Sequence, residues 1–248
     1  MKTNEKFSIH SIRVLKDNIV WIWTKEKDAI VIDPSISKPI YSWLKQNDLN
    51  LIAILQTHHH EDHIGGTKGL KDFWPKARVI ASRMDINRIP FQDISVSDNE
   101  ELFLMGSKIT IFDVSGHTKG HIAFFINPTK VNNPILFIGD TIFSAGCGRI
   151  FECSAEEMFS SIQKIKELPI NTEIYCAHEY TKSNLNWALS IEPWNKKIQR
   201  KLQHTEKLLN QGKLSIPTTL KEELEINLFL KASSIEEFRK LRTHKDKW

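Results

Sequence analysis

The segment from Thr57 to Gly66 constrains this 248-residue chain more than any other part of its sequence. It directly follows the apolar run from Leu51 to Gln56, which predicts a buried β-strand. The segment reads Thr-His-His-His-Glu-Asp-His-Ile-Gly-Gly and contains the pattern His-x-His-x-Asp-His. A buried strand that runs into a polar, glycine-terminated loop is typical of a layered α/β fold with a functional site at the strand end.

The spacing within this pattern predicts a metal-binding site. In an extended loop His58 and His60 point the same way. A tighter turn at Glu61 then aims Asp62 and His63 at a second point nearby. Neutral imidazole and ionised carboxylate are the ligands that suit zinc, iron and manganese. A plain histidine-rich surface loop is the weaker interpretation, because of the strand before the pattern and the paired glycines after it.

Further candidate ligands follow three other predicted strands. His117 lies in Ser-Gly-His-Thr, Asp140 in Gly-Asp-Thr, and His178 in Cys-Ala-His-Glu-Tyr. A single histidine at a strand end is more often a hydrogen-bonded structural residue. Together with the cluster at 58–63, however, these residues supply about the number of ligands that two metal ions need.

Apolar periodicity divides the chain into two regions. Short strands alternate with loops and helices at first, and from Ser183 onward the chain is rich in Lys, Glu, Gln and Leu at helical spacing. A capping pattern at Ser154 opens a helix predicted to end near Glu167. We expect an α/β (α+β) fold, with one domain over residues 1–170 and an all-helical domain over 171–248. The predicted strands are 18–24, 29–32, 51–56, 78–81, 108–114, 121–126, 135–138 and 173–176, and a further helix is predicted at 39–47.

Composition excludes several classes of protein. Hydrophobic residues make up 40% and charged residues 26% of the chain, and the net charge of +4 is too small to indicate a nucleic-acid partner. The excess positive charge lies between Glu192 and Trp248, where it predicts a solvated helical surface that could also meet a small anion. The polar residues 1–12 and the lack of a long apolar run predict neither signal peptide nor membrane span. Three cysteines do not form a disulfide framework, so we expect a cytoplasmic protein. We also expect it to be a monomer.

These motifs, in this order, resemble the metallo-β-lactamase superfamily, and more closely glyoxalase II, the hydroxyacylglutathione hydrolases. The resemblance covers nearly the whole chain, including the helical tail. The finer similarity rests chiefly on Gly-Cys-Gly-Arg at 146–149, His-Glu-Tyr at 178–180, and Arg242 and Lys245 in the tail.

The resemblance implies a fold and a metal centre. The fold would be an αββα sandwich of two mixed sheets with helices outside, followed by a C-terminal all-helical domain. The centre would hold two divalent metal ions per chain, with zinc as the first choice and iron or manganese as alternatives. The implied ligands are His58, His60 and His117 for the first ion, Asp62, His63 and His178 for the second, and Asp140 as a bridge.

The resemblance also implies a reaction, the hydrolysis of S-(2-hydroxyacyl)glutathione thioesters by a metal-bridging hydroxide. The family's main substrate is S-lactoylglutathione, which yields lactate and glutathione in the second step of methylglyoxal detoxification. Asp62 and Asp140 would be the catalytic carboxylates. The implied substrate-binding residues are Arg149, Phe151, Tyr180, Arg242 and Lys245.

The chain departs from the family pattern in places. The family often has Tyr at Phe151 and a small Gly at Cys153, and the segment 227–231 lacks the family's proline and arginine. We assign no coordination to His59 or His121, and we expect Cys147 to be a buried structural thiol. Asp33 is either a hydrogen-bonding support behind a metal-binding histidine or a turn-capping residue.

Two alternatives remain at this point. The first is another enzyme of the same fold, such as a persulfide dioxygenase or another hydrolase. The second is a non-catalytic metal-binding protein, against which the complete set of implied ligands argues.

Overall fold

The computed structural model describes residues 7–127 and 132–248, in which two six-stranded mixed sheets pack face to face. The first sheet has its strands in sequence order, with parallel pairing between its third, fourth, fifth and sixth strands. Its strands are β1 (Ser8–Val14), β2 (Asn18–Lys25), β3 (Asp28–Ile32), β4 (Asn50–Leu55), β5 (Arg78–Ser82) and β6 (Gln92–Val96).

The second sheet follows, and a short hairpin interrupts its sequence. The remaining strands are β7 (Glu101–Leu104), β8 (Ser107–Asp113), β9 (Ile122–Ile126), β10 (Ile135–Gly139), the hairpin strands β11 (Ile142–Phe143) and β12 (Gly146–Cys147), β13 (Glu173–Cys176) and β14 (Thr218–Thr219). The order in the second sheet is β14-β13-β10-β9-β8-β7, and β10 and β13 are parallel. The region predicted as all-helical, residues 171–248, therefore contains two strands, β13 and β14, which pair with each other.

Helices cover the outer faces of the sheets and form most of the tail. They are α1 (Ser37–Gln46), α2 (Glu61–Ile64), α3 (Thr67–Phe73), α4 (Ala155–Lys166), α5 (Thr181–Ile191), α6 (Lys196–Asn210), α7 (Leu220–Ile226), α8 (Leu228–Lys231) and α9 (Ile235–Asp246), with a 3-10 helix at Arg83–Asp85. No helix within the described ranges is both long and apolar enough to cross a bilayer.

Alternation along β2 shows why the sheets stack in layers. Trp21 and Trp23 point into the core between the two sheets, whereas Val20 and Ile22 point into the core beneath α1 and α3. Side chains of successive strand residues leave opposite faces, so a strand buried on both sides needs a second layer on each face. The predicted αββα sandwich is confirmed.

The sequence predictions for individual elements agree with the structure to within a few residues, with some omissions. The capping box at Ser154 and Glu157 is present, and α4 begins directly after it. The predicted helix at 39–47 begins two residues earlier, at Ser37. Pro39 then lies in the first turn of the helix, where its missing N–H costs no helical hydrogen bond. The sequence missed β1, β6 and β7 and the two-residue strands β11, β12 and β14. Of the segment 1–12, the first six residues lie outside the described range.

The tail is fastened to the sandwich through the β11–β12 hairpin. Glu223, which is fully buried, accepts a hydrogen bond from the backbone N–H of Ala145 at 2.8 Å. Asn227 donates its amide to the carbonyls of Phe143 and Gly146 at 3.2 and 3.0 Å. The segment that departs from the family pattern at 227–231 thus begins with a buried asparagine that ties the tail to this hairpin.

Candidate active site

The predicted ligands meet at one edge of the sandwich because each follows a strand that ends there. The cluster at 58–63 follows β4, His117 follows β8, Asp140 follows β10, and His178 follows β13. Backbone hydrogen bonds join the two sheets at this edge, from the N–H of Ile122 to the Thr57 carbonyl at 2.9 Å and from the N–H of Ile19 to the Ala177 carbonyl at 2.7 Å.

Close packing at this edge requires a glycine immediately before Asp140. Gly139 has a φ of +53°, and a Cβ there would lie 2.4 Å from Oγ1 of Thr57. A side chain at this position would be strained and would also collide with the neighbouring sheet. The Gly-Asp-Thr motif therefore lets β10 approach the histidine loop closely enough to place Asp140 within it.

The structure brings the seven predicted ligands together. Within each of three overlapping groups, the possible ligand atoms lie within 4.8 Å of one another. The groups are His58, His60 and His117; His58, His63 and Asp140; and Asp62, His63 and His178. The first and third groups correspond to the two ligand trios implied by the family resemblance.

Asp140 lies between the two trios. Its Oδ2 is 3.4 Å from Nε2 of His178 and 3.6 Å from Nε2 of His117, and its Oδ1 is 3.5 Å from Nε2 of His63. Burial opposes ionisation of this carboxyl, but the neighbouring His63, His178 and His117 outweigh it and hold its pKa well below its ordinary value. An ionised carboxylate therefore lies within reach of histidines from both trios.

Two buried polar atoms show that the cluster suits a cation. Nε2 of His63 and Oδ1 of Asp140 are buried without a hydrogen-bond partner, which is uncommon in folded proteins. A divalent ion would satisfy both atoms. Burial and the surrounding imidazoles lower the pKa of His58 well below its ordinary value, so its ring is neutral, as a metal ligand must be.

The carboxylates in and beside the cluster stabilise positive charge between the ligands. Burial alone would lower the pKa of His178, but Asp140 and Asp17 outweigh it and raise that pKa to about 9. The same negative charges that would retain a proton on His178 would also attract a metal ion. The donor set of imidazoles and carboxylates therefore fits divalent metal binding.

Contacts behind the imidazoles fix their orientation. Hydrogen bonds at Nδ1 leave Nε2 facing the cluster, as is common for metal-binding histidines. The partners are Asp33 Oδ2 for His63 at 3.1 Å, Asp17 Oδ1 for His178 at 2.8 Å, and the Arg149 carbonyl for His117 at 2.7 Å. His60 differs because it turns Nδ1 towards the cluster, 3.0 Å from Nε2 of both His58 and His117.

Residues beside the ligands lie as the sequence predicted. Nε2 of His121 accepts a hydrogen bond from the Asp140 backbone at 3.1 Å, and its ring stacks on His58, so its role is structural. Asp33 also accepts bonds from the backbone and hydroxyl of Thr57, and its contact with His63 agrees with its interpretation as a support behind a metal-binding histidine. Cys147 is buried, as expected for a structural thiol.

A cavity of about 510 Å³ opens above the cluster, and all the residues implied for substrate binding line it. The predicted residues in its wall are Arg149, Phe151, Tyr180, Arg242 and Lys245. Tyr180 stacks on the ring of His178 at 4.8 Å between centroids, and Phe151 meets the ring of His117 edge-on at 5.2 Å. The cavity wall therefore combines side chains from the sandwich and from the tail.

The two tail cations in this wall are held differently. Arg242 is buried, and its Nη1 donates to the carbonyls of Cys147 and Gly148 at 2.9 and 3.2 Å. Its Nη2 also lies 2.8 Å from Oδ1 of Asp246. Lys245 donates to Oδ1 of Asn184 at 2.6 Å. Burial and the charge of Arg242 lower the pKa of Lys245 to about 8.

Sequence reasoning missed several residues of the cavity and of its support. Phe143, Ser183, Asn184 and Trp248 line the cavity, and Asp17 contacts His178 from outside it. Ser183 and Asn184 follow Tyr180 by about one helical turn, so their presence on the same face could have been inferred from helical spacing. No comparable local signal marks Phe143, Trp248 or Asp17.

Comparisons with known proteins agree with this arrangement. A family model described as the metallo-beta-lactamase superfamily matches residues 12–178, and one described as hydroxyacylglutathione hydrolase C-terminus matches residues 179–248. Proteins named hydroxyacylglutathione hydrolase include one from Prochlorococcus marinus strain MIT 9301, which is 52% identical over the full length of both chains. Another, from strain MIT 9312, is 53% identical and covers 100% of this chain and 100% of that relative.

Among solved structures, ETHE1 from Myxococcus xanthus has a similar fold. Its TM-score is 0.71 at 20% sequence identity, over 95% of this chain and 90% of that chain. At that identity the similarity concerns the fold alone.

Proposed function

The chain belongs to the hydroxyacylglutathione hydrolase family within the metallo-β-lactamase superfamily, and from this premise we propose that it hydrolyses S-(2-hydroxyacyl)glutathione thioesters. The principal substrate would be S-lactoylglutathione, which gives lactate and glutathione in the second step of methylglyoxal detoxification. The observation that carries the proposal is the shared cavity, in which Tyr180, Arg242 and Lys245 of the tail face the same space as the ligand cluster.

The proposed cofactor is a pair of divalent metal ions, with zinc as the first choice and iron or manganese as alternatives. His58, His60 and His117 would hold one ion, Asp62, His63 and His178 the other, and Asp140 would bridge them. Divalent ions bound there would supply a hydroxide nucleophile near neutral pH and polarise the thioester carbonyl. This chemistry explains why the site needs no serine or cysteine nucleophile.

Asp62 would orient the reacting water. Its Oδ2 accepts a hydrogen bond from the Asn18 side chain at 3.0 Å, and the carboxylate still borders the cavity. Asn18 therefore fixes the carboxylate from one side, and the carboxylate can still accept a hydrogen bond from water on the cavity side. The leaving glutathione thiol has a pKa of about 8.5, so it departs as a thiolate without a dedicated general acid.

The cavity wall is suited to the charged ends of glutathione. This tripeptide carries two carboxylates and one ammonium group, and Arg149 and Lys245 present positive charge to the cavity. Arg242 adds a third positive charge behind Cys147, close to Lys245. Tyr180 and Phe151 would contact the substrate close to the ligand cluster. At Phe151 this contact is by the ring alone, because the hydroxyl of the family's tyrosine is missing.

We propose that residues 1–170 form a catalytic domain and that residues 171–248 form a substrate-binding domain. The support for it is that the tail supplies three of the five residues implied for substrate binding, Tyr180, Arg242 and Lys245, all of which line the cavity. His178 is the exception: it belongs to residues 171–248 but is one of the proposed metal ligands, because it follows β13, which ends at the ligand cluster.

The remaining proposals concern compartment and partners. All three cysteines are free, which suits the reducing cytoplasm that also holds glutathione. We propose a monomer with neither a nucleic-acid nor a membrane partner. Several tail lysines form ion pairs within the tail, including Lys182 with Glu206 and Lys197 with Glu225, so part of its positive charge is neutralised locally.

The decisive test is hydrolysis of S-lactoylglutathione by the purified protein before and after chelation, with metal content measured on the same sample. We expect chelator-sensitive turnover and up to two ions per chain. Metal without thioester turnover would reject the proposal, and persulfides, lactams and phosphodiesters would then be assayed. Bound metal with no turnover on any of these would favour a non-catalytic metal-binding protein.

A further inference from the structure

His59, the one histidine of the motif at 58–63 that lies outside the ligand groups, turns towards a network of charged residues. Its Nδ1 lies 3.6 Å from Oδ2 of Asp85, and its Nε2 lies 3.5 Å from Oε1 of Glu152. Arg88 is also close, with Nη1 3.4 Å from His59 Nε2. His59 lies between His58 and His60 in sequence. Contacts that fix the ring of His59 therefore also restrict the backbone that carries these two ligands.

Arg88 is the centre of this network. Its Nη1 donates to Oε1 of Glu152 at 2.6 Å, and its Nε donates to Oδ1 of Asp85 at 3.0 Å. One planar guanidinium therefore joins two carboxylates that lie far apart in the sequence. Such a fork geometry fixes both partners in direction as well as distance.

The same two carboxylates reach the loop that carries His117. Oε2 of Glu152 accepts a hydrogen bond from the Lys119 backbone at 2.8 Å. Asp85 is fully buried, and a Cβ at Gly120 would lie only 2.2 Å from its Oδ1. The backbone after His117 thus packs directly against the Asp85 carboxylate, and only glycine permits this approach.

The network consequently touches both loops that supply the first trio of ligands, His58, His60 and His117. The second trio is supported by other residues, because Asp33 contacts His63, Asp17 contacts His178, and Asn18 contacts Asp62. The Arg88 network therefore contacts only residues beside the first trio, whereas Asp33 reaches both trios, because it also accepts a hydrogen bond from Thr57, whose hydroxyl lies 3.1 Å from Nδ1 of His58.

We propose that Arg88, together with Asp85 and Glu152, is a positioning group that sets the geometry of the first metal trio and leaves the second unaffected. The proposal rests on the proposed metal centre and goes beyond it by assigning an asymmetric role to residues that touch neither ligand nor substrate. Residues that support metal ligands from behind typically change metal affinity by about 10–100-fold. A selective loss of one ion is therefore the expected signature.

The experiment measures the two zinc affinities of the full chain by competition with a chromophoric chelator. The variants are Glu152→Gln, Arg88→Met and Arg88→Lys. We expect Glu152→Gln and Arg88→Met to lower the affinity for one of the two zinc ions by about 10-fold or more. The affinity for the other ion should stay within twofold of that of the unsubstituted protein. Arg88→Lys keeps the charge but not the fork, so we expect it to recover part of the lost affinity.

The matched control is Arg83→Met. Arg83 lies in the adjacent 3-10 helix, is exposed, and donates to Ser97 and Ser95 instead of the network. We expect it to leave both affinities unchanged. Loss of Arg88 alone leaves the buried Asp85 unpaired, which can unfold the chain. Asp85→Asn/Arg88→Met removes both charges, and Glu152→Gln leaves the Asp85–Arg88 pair intact, so these two variants decide the question if Arg88→Met is not folded.

Unchanged affinity for both ions in the folded network variants would overturn the proposal, and so would an equal loss of both ions. Thioester turnover is recorded separately with excess zinc. If the unsubstituted protein binds two ions without turnover, the proposed reaction fails while the asymmetry remains measurable from the affinities. If turnover is present and no variant changes either affinity, the positioning role alone fails.

Discussion

The ligand edge and the tail wall of the cavity differ in how their side chains are held. At the ligand edge the functional atoms face one another, and their supporting bonds lie behind them, as Asp17 supports His178 at 2.8 Å. In the tail wall the cations themselves make supporting bonds, because Arg242 donates to the carbonyls of Cys147 and Gly148. Removing a ligand should therefore affect chemistry, whereas removing a tail contact should affect both binding and local structure.

The strongest way to test this difference is Asp140→Ala. The bridging carboxylate contacts both trios, so its loss should release metal and reduce kcat by more than about 100-fold, beyond the effect typical of residues that only support ligands. Metal content and turnover are measured on the same sample, with the exposed Asp72→Asn as the control. Normal activity with normal metal content would remove Asp140 from the centre.

A second test loosens the tail from the hairpin through Glu223→Ala. The change leaves the Ala145 N–H without its acceptor in a buried place, which should lower the free energy of unfolding by about 2 kcal/mol. Urea unfolding measures it, and KM for the thioester should rise at the same time. Glu225→Ala, an exposed residue of the same helix, should change stability by less than about 0.5 kcal/mol. Equal effects of the two variants would contradict the role given to Glu223.

A third test concerns the charge of Lys245. Lys245→Met should raise KM for S-lactoylglutathione roughly 10-fold and leave kcat nearly unchanged, since the lysine meets a remote part of the substrate. Lys240→Met, an exposed change on the same helix, serves as the control. A fall in kcat without a change in KM would place Lys245 in the chemical step instead.

The pKa of Lys245 adds a pH dependence to this third test. Because that pKa is lowered to about 8, the ammonium is present below pH 8 and is lost as the pH rises through that value. KM should therefore increase above about pH 8. Lys245→Arg should remove this increase, because arginine stays charged. A KM that is independent of pH in the unsubstituted protein would show that Lys245 does not meet the substrate.

The smallest expected effect belongs to Trp248, which lies at the cavity wall with 57% of its surface exposed. Trp248→Ala should raise KM by about threefold, as expected for a partly exposed contact at a rim. Trp194→Ala, which removes another exposed tryptophan that does not line this cavity, should have no effect. Equal KM values for the two variants would confine substrate contacts to the inner part of the wall.

The sequence predicted the metal ligands far better than the residues that hold them in position. His58, His60 and His63 stand in one short pattern. Asp140 and His178 follow β10 and β13, which are buried along nearly their whole length, and His117 follows β8, in which buried residues alternate. Strands β1, β6 and β7 were missed because each contains half-exposed or exposed residues and lacks a run of buried residues. A periodicity signal needs burial that follows a regular pattern.

The supporting contacts could not be inferred because they join distant parts of the chain. Asp17 and His178 are 161 positions apart, and Glu223 lies 78 positions from Ala145. Nothing in the local sequence of either partner specifies the other, since both pairs depend on how the sheets and the tail come together. The family resemblance implied which tail residues face the cavity, but not that Arg242 would be buried and held by the carbonyls of Cys147 and Gly148.

The β11–β12 hairpin has a thermodynamic consequence. It begins two positions after Asp140 and is held from the other side by Glu223, Asn227 and Arg242. Contacts that stabilise the position of Asp140 therefore also stabilise the surface on which the tail docks. By thermodynamic linkage, docking of the tail stabilises the position of Asp140 by the same free energy. Filling the ligand cluster should consequently slow amide hydrogen exchange in α9, far from any ligand atom, and detachment of the tail should lower the affinity for metal.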